Sequence, residues 1–352
     1  MGTIISLLVL SFLIFFHELG HFLAARFFGV RVEVFSIGFG KKVYKKVYNG
    51  TEYALSMIPL GGYVQMKGQD DTDPLKTSDD NDSYNVKKPW QRIIILFAGP
   101  FANFLLAFLL YIAIGSIGVS KFAPIIGNIS KDSPALMSGL KQNDKIISVN
   151  KIPIKTWDEL SQNIRKSDNL LQFKIKRDGQ IKNIGIMPKI HTYKNMFGET
   201  LKKKMVGIAP SGKTIMIKYN LLQSIPFALE ETKNATTMIV KSLQKLIEGI
   251  VPAKDLGGIV SIVQVTAQAS KIGIVALFGL TALISVNLGV LNLLPIPALD
   301  GGHIMFNLYE MITKKAPSER VLYYLTLAGW VFLLSLMAFT IFNDIYRIIG
   351  SK

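Results

Sequence analysis

Two histidines four residues apart, set into a stretch that carries no charge for the fourteen residues Thr3–Phe16, constrain this chain more than any other feature. Thr3–Arg26 reads TIISLLVLSFLIFFHELGHFLAAR, so that His17-Glu18-Leu19-Gly20-His21 interrupts an apolar run that resumes as Phe22-Leu23-Ala24-Ala25. On a helix, residues i and i+4 project from one face, and both imidazoles can reach one metal ion. Glu18 lies one residue further round, where its carboxylate reaches a water on that ion. The spacing is H-E-x-x-H, in which two His bind zinc and the Glu is the general base of peptide hydrolysis. A frayed helix end with polar residues snorkelling to water would give the same letters. That alternative fits less well, because an ionisable group near the bilayer centre costs about 2.5–3.5 kcal/mol on insertion scales and generally has a partner or a function.

With 49% hydrophobic residues and a mean hydropathy of +0.34 over 352 residues, the composition favours a membrane protein over a soluble one. There is no cysteine, which excludes disulfides, thiolate zinc ligands and a cysteine nucleophile together. The net charge of +16 contains no block of basic residues interleaved with aromatics, so it reads as membrane-surface and topological charge, with no nucleic-acid partner. The first apolar segment lacks a basic start and a small-residue cleavage site, and it reads as a permanent span rather than a cleaved signal.

Four stretches are long and apolar enough to cross a bilayer: Thr3–Phe28, Ile93–Gly118, Ile272–Leu294 and Val321–Phe342. No Lys or Arg precedes Arg26, whereas ten lie from Arg31 to Arg92, which places that loop in the cytoplasm and residues 119–271 outside. Arg347 and Lys352 go against this orientation; Lys314, Lys315 and Arg320 support it. The fourteen apolar residues before His17 span about 21 Å of a hydrocarbon core about 30 Å thick, so the histidines sit toward the cytoplasmic side.

Within the first segment (residues 1–118), residues 31–65 alternate at Val32, Val34, Phe35 and Ile37 and turn at Asn49-Gly50, predicting a hairpin sheet on the membrane. It is either a packing module or a sheet edge that accepts an extended peptide. In Ala98-Gly99-Pro100-Phe101-Ala102-Asn103, glycine permits close helix approach and Asn103 reads foremost as interhelical glue. Residues 119–192 contain strand, short helix (134–138), strand (145–150), a helix from Trp157 and a hairpin turning at Asp178-Gly179. Ser133-Pro134-Ala135, Ser138-Gly139-Leu140 and Asp144–Asn150 resemble a PDZ domain in the permuted order of bacterial proteases. Residues 193–270 read as an extracytoplasmic connector with amphipathic helices at 222–248 and 256–270, and residues 271–352 carry the last two spans.

The third span ends in Asn292-Leu293-Leu294-Pro295-Ile296-Pro297-Ala298-Leu299-Asp300-Gly301-Gly302-His303. Asp300 is an isolated carboxylate after two helix-breaking prolines, at the membrane depth assigned to His17 from other residues. Two His and one carboxylate are a known catalytic zinc set with one position left for water. Asp300 as a solvent-facing helix end is the plainer alternative. His303 is either a fourth ligand or a helix-entry residue. Asn292 holds substrate backbone through its amide or caps carbonyls freed by the break.

Taken together, these two motifs resemble the site-2 protease family of intramembrane zinc metalloproteases. With Gly99–Asn103, Gly38-Phe39-Gly40, Gly61-Gly62-Tyr63 and one PDZ-like segment, the chain resembles the bacterial, regulator-of-sigma-E-protease-like branch over nearly its whole length. The resemblance implies a polytopic α-helical membrane protein of about four transmembrane helices, with a membrane-associated β-hairpin sheet and an inserted PDZ-like α+β domain. It implies zinc held by His17, His21 and Asp300, water activated by Glu18, and substrate backbone engaged by Asn292. It further implies cleavage within the transmembrane helix of single-span substrates, anti-sigma factors or remnant signal peptides. That is regulated intramembrane proteolysis in the bacterial inner membrane, after another protease has cut. A rhomboid-type serine site and a two-aspartate site lack their residues here. A zinc transporter would need metal groups strung along a path, and a membrane chaperone would tolerate loss of Glu18.

Overall fold

The computed structural model describes residues 1–69, 78–167, 169–194 and 199–350. The elements run α1 (Gly2–Phe27), β1 (Val32–Tyr48), β2 (Thr51–Met66), α2 (Pro89–Ile117), β3 (Val119–Phe122), β4 (Ile126–Ile129), α3 (Pro134–Met137), β5 (Lys145–Val149), β6 (Ile152–Pro153), α4 (Trp157–Lys166), β7 (Leu171–Arg177) and β8 (Gln180–Ile186). They continue β9 (Lys189–Lys194), β10 (Thr200–Met205), β11 (Ile208–Pro210), β12 (Thr214–Ile217), α5 (Leu221–Ile247), α6 (Ile259–Ile272), α7 (Ile274–Asn292), α8 (Asp300–Thr313) and α9 (Glu319–Gly350). The chain divides into one compact unit of residues 1–114 with 221–352, and a second of residues 115–220.

In the first unit, α1, α2, α7 and α9 are long and apolar enough to cross a membrane, at the four places the hydropathy pattern indicates. Their length follows from runs of Leu, Ile, Phe and Val with almost no charge. The charge-interrupted helix α5 is different: Ala235 is buried beside Ala107 of α2 and Ala282, Val286 and Val290 of α7. Its apolar stripe is thus a packing face, while Lys and Glu occupy the other side. The shorter helix α6 lies against α1, where Ser6 Oγ reaches the Val263 carbonyl at 2.9 Å.

The end of α9 is tied to the start of α6. Asp344 accepts from the backbone N–H of Gly258 (3.0 Å) and Ser261 (3.1 Å), capping α6 from outside its own sequence. Arg347 donates to the carbonyls of Lys254 (2.8 Å) and Leu256 (2.7 Å). This polar clasp gives Arg347 a structural task, and so accounts for a basic residue that runs against the loop-charge pattern.

The hairpin expected at Asn49-Gly50 is present, with both residues at positive φ, but it is larger than a simple pair of strands. Residues 34–37 of β1 pair with residues 62–65 on one side and with residues 52–55 on the other. Residues 44–48 then pair with 51–55. Both long strands therefore double back, and residues 61–66 form one outer edge of the sheet among the described residues. Buried Ala25, Val30, Val32, Met66, Tyr84, Ile95 and Leu96 pack the root of this sheet onto the ends of α1 and α2.

The second unit has its own core, centred on Phe173, Ile146, Leu160 and Leu171, under the β6-β5-β7-β8 sheet and α4. Ser133 caps α3 and Thr156 caps α4 through their side chains. Arg177 forks onto buried Asp144 with two contacts of 2.7 Å, and that carboxylate raises the guanidinium pKa above its usual value. Asn143 adopts φ +69°, the left-handed conformation that Asn tolerates. The connector read from residue 193 onward instead supplies strands β10, β11 and β12, and β9 straddles its start; β11 pairs with β4 and β12 with β3.

Candidate metal centre

α1 places His17 and His21 one turn apart, with Nε2 atoms 3.2 Å from each other. Asp300 comes from far along the chain. After α7 ends, Pro295 and Pro297 prevent its continuation, and two tight turns (Ile296 N–H to Leu294 O, 2.7 Å; Leu299 N–H to Ile296 O, 2.8 Å) bring Asp300 to the first turn of α8. A carboxylate there is favoured by the helix dipole. Its Oδ2 lies 3.3 Å from His17 Nε2 and its Oδ1 3.5 Å from His21 Nε2.

Glycines make this convergence possible. A Cβ on Gly20 would lie 2.2 Å from the Ala98 carbonyl oxygen, and one on Gly99 would lie 2.2 Å from His21 Nε2, so α1 and α2 touch backbone to backbone here. A further tight point is Gly301, where a Cβ would meet the carbonyls of Leu293 and Leu294 at 2.4 and 2.3 Å.

The outer nitrogens of both rings are engaged. His21 Nδ1–H donates to the Ile95 carbonyl at 2.8 Å, which leaves Nε2 as a bare lone pair. His17 Nδ1 meets the Asn103 side-chain amide at 3.1 Å. The Asn103 oxygen, buried and otherwise without a partner, accepts from Nδ1–H when the amide is turned to present it; the two ends of an amide are interchangeable in shape. With both outer nitrogens carrying their protons, two imidazole lone pairs and a carboxylate face one another at 3.2–3.5 Å. Acceptors so arranged repel unless a cation lies at their centre.

The spacing suits zinc. Metal–ligand distances of about 2.0–2.1 Å in a tetrahedron require donor–donor edges of roughly 3.3–3.4 Å, and all three donor atoms lie within 4.8 Å of one another. Outer partners that fix ring orientation are a regular feature of such sites. Asn103, read from sequence as helix glue, is therefore also the residue that orients His17. The sequence signal was its spacing on α2, four residues after Gly99, but only coordinates show which side chain it meets. We expect Asn103→Ala to weaken zinc affinity about 10–100-fold, measured by competition with a chelator, with helix content unchanged. An unchanged affinity would remove Asn103 from the centre.

A cavity of about 620 Å³ opens onto the three donors. Glu18 and Asn292 both line it, as do residues 61–66 of the sheet edge, His303 and Trp330. Asn292 Nδ2 is 3.4 Å from His17 Nε2. His303 faces the cavity but is not in the three-donor cluster; its ring stands edge-on to Phe306. His191 is exposed on β9, outside this site.

Comparison with known proteins agrees with this geometry. Residues 5–336 match peptidase family M50. A candidate zinc metalloprotease of Campylobacter jejuni is 50% identical over 345 residues, covering 98% of this chain and 93% of that protein. One from Helicobacter pylori is 41% identical over 352 residues, covering 98% and 99%, and one from Clostridium acetobutylicum 34% over 347 residues, covering 98% and 97%. A match across almost the entire length, on a chain with an H-E-x-x-H helix and a converging aspartate, assigns this protein to peptidase family M50, the zinc-dependent site-2 proteases.

Proposed function

We propose that this chain is an intramembrane protease that cuts peptide bonds inside the transmembrane helix of single-span membrane proteins. The observation that carries the reading is the meeting of His17, His21 and Asp300 in a cavity walled by apolar helices on one side and a free sheet edge on the other. In this reading those three residues hold zinc, which when bound polarises a carbonyl and makes water acidic enough to react near neutral pH. Glu18 takes the proton from the attacking water and delivers it to the leaving nitrogen. Asn292 hydrogen-bonds the substrate backbone beside the scissile bond.

A helical peptide bond is shielded, so the substrate must unwind, and its freed N–H and C=O groups need partners inside the membrane. The edge at residues 61–66 offers unpaired backbone groups along the same cavity wall that bears Glu18, which supports strand addition there. Membrane placement is supported by the four long apolar helices. The loop charges favour residues 31–92 on the cytoplasmic side and the PDZ-like unit outside, which in the family resemblance corresponds to a bacterial inner membrane. The clasp of Arg347 and Asp344 onto residues 254–261 fits this orientation, since both segments fall on the outer side. A PDZ-like unit there suits a substrate already trimmed by another protease, such as an anti-sigma factor or a remnant signal peptide.

The test is to reconstitute the chain with candidate single-span proteins and map the product termini by mass spectrometry. We expect cuts within the apolar segment; cuts confined to the water-exposed parts would overturn the intramembrane reading.

A further inference from the structure

A second cleft, of about 450 Å³, lies between α2 and α5 and shares no lining residue with the metal cavity. Its α2 wall is Phe101, Phe104, Leu105 and Phe108, one helical face, while Asn103 points to the metal side. Leu229 continues the wall on α5. Three threonines also line or rim it, yet each hydroxyl returns to its own helix: Thr232 to the Ala228 carbonyl, Thr236 to that of Thr232, and Thr237 to that of Lys233, all at 2.8 Å. The threonines therefore contribute methyl groups. What remains polar is the Lys233 ammonium, and among the described residues no carboxylate lies within ion-pair distance of it.

We propose that this cleft binds one anionic phospholipid, its acyl chain along the α2 phenylalanines and its phosphate on Lys233. At about 30 Å³ per small group, the volume holds roughly fifteen methylenes, the length of one acyl chain. A helix about 10–12 Å across would fill the cleft within a turn and leave Lys233 without a counter-charge. The amphipathic α5 packs between α2 and α7 with its polar side outward, so the exposed Lys233 borders the phenylalanine face, and its flexible stem can carry the ammonium toward the headgroups.

The inference rests on the membrane reading above, and the experiment separates the two. Full-length protein is first tested for release from membranes by alkaline carbonate. Release overturns the membrane reading and this site with it. Retained protein is then purified and examined by native mass spectrometry with palmitoyl-oleoyl phosphatidylglycerol or the matching phosphatidylcholine. We expect the anionic lipid to be held about fivefold better, the preference to vanish in Lys233→Ala, and to persist in Lys233→Arg. Lys233 is exposed, so neither variant should disturb folding. Equal retention of the two lipids, or a preference that survives Lys233→Ala, overturns the proposal. So does a photo-reactive benzoylphenylalanine placed at Leu229 that captures a transmembrane substrate peptide in place of lipid.

Discussion

Replacing Glu18 by Gln should lower peptide cleavage by about 10²–10⁴-fold, the usual worth of a positioned general base, while zinc should remain bound at wild-type occupancy. The amide preserves size and polarity but cannot accept a proton from water at neutral pH. Glu18 lines the cavity beside the three donors without belonging to them, so the metal has no reason to leave. The readouts are single-turnover cleavage of a reconstituted single-span substrate and metal content of the purified protein. Cleavage at the wild-type rate would remove Glu18 from the chemistry, and zinc loss would make it a ligand.

Asp300→Ala should fail in the opposite order: the metal goes first and activity with it. Partners outside the ligand set already contribute about 10–100-fold to affinity, and removal of a donor should exceed that range. The change also leaves the Nε2 atoms of His17 and His21, 3.2 Å apart, without the carboxylate that faces both. Zinc affinity measured by chelator competition should drop by more than about a hundredfold, and excess zinc should restore part of the activity. Full retention of zinc in this variant would mean that residue 300 is not a donor. The two substitutions thus separate proton transfer from metal capture in one assay.

Much of the site was legible because its physics is local. The four-residue spacing of His17 and His21 is set by helix geometry, and the two prolines before Asp300 announce a break in the same way. The apolar count before His17 and the direction of the third span brought these two motifs together in the sequence reading, and their donor atoms meet in the structure. Turn chemistry at Asn49-Gly50 and Asp178-Gly179 was equally readable, since both are hairpin turns in the structure. What escaped depends on contacts between distant segments. The partner of Asn103, the burial of Ala235 between two spans and the capping of α6 by Asp344 cannot be read from their own neighbourhood. The doubling of β1 and β2 escaped for a related reason: Gly38 and Gly40, both at positive φ, mark a bend without saying which strand it brings alongside. Strands β9 and β10 escaped because Lys-rich segments carry little β-pattern, and β11 and β12 because their partners, β4 and β3, lie far earlier in the chain.

Because two donors arrive with the opening helix and the third only after the third long apolar helix, the ribosome must deliver nearly all of the polypeptide before the centre can close. A nascent or prematurely terminated product has an H-E-x-x-H helix but no aspartate opposite it. On the proposed chemistry such fragments hold no complete donor set and so cut nothing during their synthesis.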